Sequence, residues 1–100
     1  MAEEYSIVFA RRASRHLDAL RRYDRRRVLD AIKEQLRFRP DEETRNKKVL
    51  RENPIADWEL KVEPFRVFYD VDTAGKSVRV LSVGLKVRDR LFIGGEEIEI

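Results

Sequence analysis

One hundred residues, 42% hydrophobic and 41% charged, make a single soluble domain with a dense charged surface and exclude a disordered tail. The chain has no cysteine, which excludes disulfides and thiolate metal sites and suits a reducing cytoplasm; its lone histidine argues against a metal centre or metal cofactor. No apolar run approaches the ~18 residues of a membrane span, no signal-peptide pattern opens the chain, and no membrane association is expected.

Tyr5, Ile7 and Phe9 alternate, so the opening segment reads as a short strand. Residues 10–22 read as a helix with Ala13, Leu17 and Leu20 on one stripe. His16 sits beside Leu17 and reads as a helix residue, far from any strand motif. Asp24 suits an N-cap for a second helix over residues 25–38, where Val28, Leu29, Ile32 and Leu36 recur at helical spacing until Pro40. The short Tyr23-Asp24 link makes the two helices an antiparallel hairpin. Residues 11–39 hold 11 basic side chains against 4 acidic ones. That excess reads either as a solvated helix face or as a footing for an acidic partner, nucleic acid or protein.

Residues 40–56 are polar and aperiodic and read as a surface loop with Val49 and Leu50 pinned to the core. Strands are expected over 58–62, 65–72 and 77–85, with turns at Glu63-Pro64 and Ala74-Gly75. Symmetric turns set Trp58 opposite Tyr69, Lys61 opposite Arg66, and Asp70 opposite Arg79. Pro64 warns of a bulge at the first turn. In this register Trp58, Leu60, Val62, Phe65, Val67, Tyr69, Val71, Val78 and Val80 share the face under the helices. The other face holds Glu59, Lys61, Arg66, Phe68, Asp70, Arg79, Leu81, Val83 and Leu85. Lys61 and Arg66 would then be like charges about 4.5–5.5 Å apart at Cβ, which a fold tolerates best where an anion such as phosphate sits between them. Phe68, Leu81 and Val83 would form an apolar floor beside them. Leu91 to Ile100 alternates after its glycines and suits an added edge strand, where a strand of a partner could also dock, or a segment packed back on the sheet. The fold class is therefore α+β: one domain over residues 1–100, an N-terminal strand, a helical hairpin and a three-stranded antiparallel meander, with both helices on one sheet face.

Three motifs, Trp58-Glu-Leu-Lys-Val, Phe65-Arg-Val-Phe-Tyr-Asp-Val and Val83-Gly-Leu-Lys-Val-Arg-Asp-Arg-Leu-Phe, together with this element order, resemble the RelE/ParE toxin superfamily over nearly the whole chain. The resemblance implies a toxin of a type II toxin–antitoxin module held silent by a cognate antitoxin. Operator DNA would be a partner only through the antitoxin complex. RelE-like members cut messenger RNA on the ribosome; ParE-like members poison gyrase. Carried over residue by residue, it assigns basic catalytic roles to Lys61, Arg66 and Lys86, with Arg88 and Arg90 as substitutes or RNA-binding groups. The basic residue expected two positions before Lys61 falls on Glu59, and the terminal tyrosine of ribonucleolytic members falls on Phe92, which lacks the hydroxyl.

In metal-free RNA cleavage the 2′-hydroxyl attacks the adjacent phosphate, and fixed cations stabilise the developing charge. Arg66 suits that role because a guanidinium can hold two phosphate oxygens, with Lys61 as a second clamp. Glu59 suits a general base, or simply neutralises Lys61. Phe92 suits base stacking, or closes the core edge. Three functions stay open: a ribosome-dependent endoribonuclease acting on mRNA, a gyrase poison, and a weak member that only pairs with an antitoxin.

Overall fold

The computed structural model describes residues 3–100. Its elements are β1 (Ser6–Phe9), α1 (Arg11–Asp18), α2 (Arg22–Leu36), β2 (Lys47–Val49), β3 (Trp58–Val62), β4 (Phe65–Asp72), β5 (Ser77–Val87), β6 (Arg90–Ile93) and β7 (Glu96–Ile98). The α+β architecture is as expected, and β2, β6 and β7 extend the meander. The strands form one sheet in the order β2-β3-β4-β5-β6-β7, with neighbours antiparallel. The long β5 gives its remaining edge to two partners. β1 runs parallel to Ser77–Val80, and β6 runs antiparallel to Gly84–Val87. Among the described residues no helix is long and apolar enough to cross a membrane.

Both helices are shorter or shifted at the hairpin. Asp24 does not cap α2; it lies in the first turn, where a carboxylate complements the helix dipole, and it pairs with Arg21 at 3.5 Å and Arg27 at 3.6 Å. Arg25 does the capping work across the hairpin. Its guanidinium donates to the carbonyls of Leu17, Asp18 and Leu20 at 3.1, 3.2 and 3.1 Å, satisfying the open end of α1.

Ala13 and Leu17 of α1 and Val28, Ile32 and Leu36 of α2 bury their stripe against Leu60, Val67, Tyr69, Val78 and Val80. Trp58 stacks on Tyr69 with ring centroids 6.0 Å apart. The Tyr69 hydroxyl donates to the Pro40 carbonyl at 2.8 Å, and burial pushes its pKa well above the ordinary phenol value.

Two expectations fail for identifiable reasons. The stretch expected as loop contains β2, a strand whose one buried residue is Lys47, while Val49 is half exposed. The Lys47 ammonium donates to the carbonyls of Gln35 and Arg39 at 3.1 and 2.8 Å, so it caps the end of α2 from beneath the sheet. Burial lowers its pKa. The unbroken register expected across the second turn fails as well, while the first turn keeps the expected one. The Glu63–Pro64 peptide is cis, Lys61 still pairs with Arg66, and Arg27 of α2 donates to the Glu63 carbonyl at 2.7 Å. The register slips instead between β4 and β5, where Phe68 meets Ser82 but Tyr69 meets Val80, leaving Leu81 as the extra residue.

That slip turns over the second half of β5. Val83 now joins the helix-side core and Leu85 sits opposite Phe65, so the floor of Phe68, Leu81 and Val83 does not exist. Ser82 and Gly84 take those places beside Phe68 and Arg66, and Lys86 follows on the same face by alternation. The imidazole of His16 meets the turned strand, with Nδ1 accepting from the Val83 amide at 3.1 Å. Burial, and then the nearby Arg12, hold its pKa below the ordinary value.

Candidate functional site

The sheet face away from the helices carries the site. Cross-strand pairing sets Lys48 against Glu59, Glu59 against Phe68, and Lys61 against Arg66. Lys86 reaches the same face because of the bulge, and its amide donates to the Pro64 carbonyl at 2.8 Å, tying β5 to the β3–β4 turn. Arg45 and Asn46 come from the loop before β2. The Thr44 hydroxyl accepts from the Asn46 and Lys47 amides at 3.2 and 3.1 Å, and the Asn46 carbonyl accepts from the Lys61 amide at 2.7 Å. The loop is thereby fixed against β3.

These residues line one pocket of about 220 Å³: Arg45, Asn46, Lys48, Glu59, Lys61, Arg66 and Lys86. Five cations share it with one carboxylate. A second groove of about 570 Å³ adjoins it, sharing Lys48, Glu59 and Lys86. Glu97 and Glu99 line the groove's far side, and the sheet curls enough for Arg51 to reach the Ile100 carbonyl oxygen at 3.4 Å.

The four residues expected to be catalytic, Glu59, Lys61, Arg66 and Lys86, are thus brought together. Their internal pairing is different from expectation. Glu59 does not neutralise Lys61; its carboxylate lies 3.8 Å from Arg66 Nε. Arg66 is 8% exposed, its Nη2 lies 2.7 Å from the Glu63 carboxylate, and its Nη1 donates to the Phe65 carbonyl at 3.0 Å. Among the described residues Arg45, Lys48, Lys61 and Lys86 are exposed and form no salt bridge. The free positive charge of the face therefore belongs to the lysines and Arg45, while Arg66 is committed to carboxylates.

Arg88, Arg90 and Phe92 stand apart. Arg88 lies at the β5–β6 turn with φ 59°, and with Arg90 and Phe92 it lines a shallow hollow at the hairpin tip. Arg90 approaches Glu97 at 3.9 Å and also reaches the larger groove. Phe92 pairs with Leu85 and so falls on the helix side of the sheet, where it shares an apolar hollow with His16, Leu20 and Phe65. An aromatic there cannot stack on a base held in the lysine pocket. Sequence reasoning missed Arg45, Asn46 and Lys48. Their signal was hidden because the one buried position of β2 is a lysine, Lys47, while Val49, two residues on along this edge strand, stays half exposed.

The comparisons agree with this architecture. The toxin–antitoxin complex RelBE2 from Mycobacterium tuberculosis matches with a TM-score of 0.73 at 23% identity, over 84% of this chain and 93% of that one, which shows the fold. No curated protein sequence matches the chain. The sequence model described as "ParE toxin of type II toxin-antitoxin system, parDE" matches residues 7–90, a span running from β1 into β6. A match of that extent, on this strand order and this helical hairpin, places the chain in the ParE toxin family of type II toxin–antitoxin systems.

Proposed function

We propose that this toxin cleaves messenger RNA on the ribosome without a metal ion, and that a cognate antitoxin restrains it. The observation that carries this reading is the single pocket holding Glu59, Lys61, Arg66 and Lys86, with Lys48 and Arg45 at its rim. Glu59, oriented by Arg66, takes the proton of the 2′-hydroxyl as its oxygen attacks phosphorus. Lys61 and Lys48 bear on the non-bridging oxygens, where charge grows. Lys86 protonates the 5′-oxygen as the P–O5′ bond breaks, leaving a 2′,3′-cyclic phosphate and a 5′-hydroxyl. Electrons and protons balance within the pocket and the substrate.

Induction of the toxin alone, followed by mapping of RNA 5′ ends, tests the reading. New 5′-hydroxyl ends within translated codons are expected, and they should vanish with Glu59→Gln or Lys61→Ala. Intact messenger RNA in cells that nevertheless stop growing would overturn it.

A second reading, a poison of gyrase, draws on the ParE family match and on Phe92, which lacks a hydroxyl and lies across the sheet from the lysines. Inhibition of supercoiling by purified toxin, with messenger RNA left whole in a translating extract, would select it.

A further inference from the structure

The guanidinium edge best suited to a phosphate is already occupied. A planar fork binds an oxyanion through two parallel N–H groups, and the Nε–Nη2 edge of Arg66 is the one that faces carboxylates on both positions. The third nitrogen, Nη1, is turned to the Phe65 carbonyl. The two carboxylates differ sharply. Glu59 projects from β3, its side chain is 15% exposed, and it stands at 3.8 Å. Glu63 projects from the turn, its side chain is 68% exposed, and it makes the short contact of 2.7 Å. On leaving Arg66, Glu63 would be rehydrated at once, so its departure costs little. Glu59 has no such escape.

We propose that Glu63 is a displaceable latch on Arg66: its carboxylate holds the guanidinium edge in the free protein and gives way to an incoming phosphate group. Arg66 then passes from one oxyanion to another without ever standing uncompensated on a nearly buried site. The lysines supply attraction, and release of Glu63 frees Nη2 to donate to the phosphate. This rests on the reading of the face as a phosphate site, and it adds a residue to which neither motif nor resemblance gave a role.

The test uses the full ¹⁵N-labelled chain titrated with inorganic phosphate, following the Arg66 Nε–H signal together with the amides of Lys61 and Lys86. Wild type is compared with Glu63→Gln, Glu63→Ala and Glu99→Gln; the last removes the same charge from the adjoining groove. Losing an exposed pair should tighten phosphate binding about two- to fivefold in both Glu63 variants. Glu99→Gln should gain less than about 1.5-fold at ~0.15 M salt, because screening blunts charges that make no contact. The Arg66 signal should move in step with phosphate. Equal gains in the Glu63 and Glu99 variants would overturn the latch in favour of general charge. Movement of the lysine signals with a static Arg66 would overturn the latch and leave the phosphate site standing. If no signal on this face moves in any protein, the latch and the phosphate site fall together.

Discussion

Arg66→Ala asks what holds the basic face together. The substitution removes a guanidinium that is 8% exposed and leaves the Glu59 carboxylate, 15% exposed, with no cation in contact. Removing one partner of a buried pair costs about 3–5 kcal/mol. The 3.8 Å separation is long and Glu59 keeps some water, which points to the low end. The Glu63 contact is made by an exposed side chain and adds no more than about 1 kcal/mol. A loss of about 3 kcal/mol follows. For a domain of this size that lowers Tm by about 12–24 °C, at about 4–8 °C per kcal/mol. Since such domains hold about 5–15 kcal/mol in all, the variant should still fold at room temperature. Urea unfolding read by the fluorescence of Trp58, the sole tryptophan, measures the loss directly. The double variant Glu59→Gln/Arg66→Ala should recover about half of it or more, because no carboxylate is then stranded. A single-variant loss below about 1 kcal/mol, or a double variant no better than the single one, would refute the idea that Arg66 compensates Glu59.

Three further outcomes are expected. Gly84→Ala would place a Cβ 2.9 Å from the Phe92 carbonyl oxygen and 3.0 Å from side-chain atoms of Leu91 and Ile93. Because one of those neighbours is backbone in the β5–β6 ladder, thermal melts should show a loss of about 1–3 kcal/mol. His16 has a folded-state pKa below its ordinary value, so the unfolded chain binds more protons in the window between the two. Stability should be full above about pH 6.5 and fall as pH drops through that window, and His16→Gln should flatten the profile in urea titrations from about pH 5 to 7. Lys61→Ala should weaken binding of a single-stranded, 2′-deoxy oligonucleotide and lower the salt slope of log K by about 0.7, the share of one phosphate contact. An unchanged slope would remove Lys61 from the phosphate-binding set.

The helical hairpin, the three long strands and the Lys61–Arg66 pairing were legible because periodicity of 3.6 and 2 is strong in them and the turn at Glu63-Pro64 kept its register. The bulge was not. One extra residue at Leu81 leaves no mark in a run of alternating valines, yet it decides which of Val83 and Lys86 faces the helices. β2 was hidden for a related reason. Strand patterns are read from apolar residues facing inward, and here the inward residue is Lys47, whose buried ammonium is met by the Gln35 carbonyl in the last turn of α2 and the Arg39 carbonyl just beyond it. Alternation also fails to reveal ion pairing. Glu59 sits two residues from Lys61 along one strand, but it turns to Arg66 on the diagonal, and Glu63 reaches the same guanidinium from a turn.

The shared edge of β5 bears on how the toxin comes into being. A bond from the Ser6 hydroxyl to the Lys76 carbonyl spans 70 positions, and the parallel ladder beside it joins the first strand to one made late in synthesis. Contacts between such distant segments slow folding, since a large loop must close before they form. On the ribosome the helices emerge well before the strand that completes their cover. The lysine face is likewise unfinished until Lys86 has left the exit tunnel. On the function proposed above, a nascent copy of this chain would lack its complete basic pocket until the last strands lock, which would leave a restraining protein time to be present.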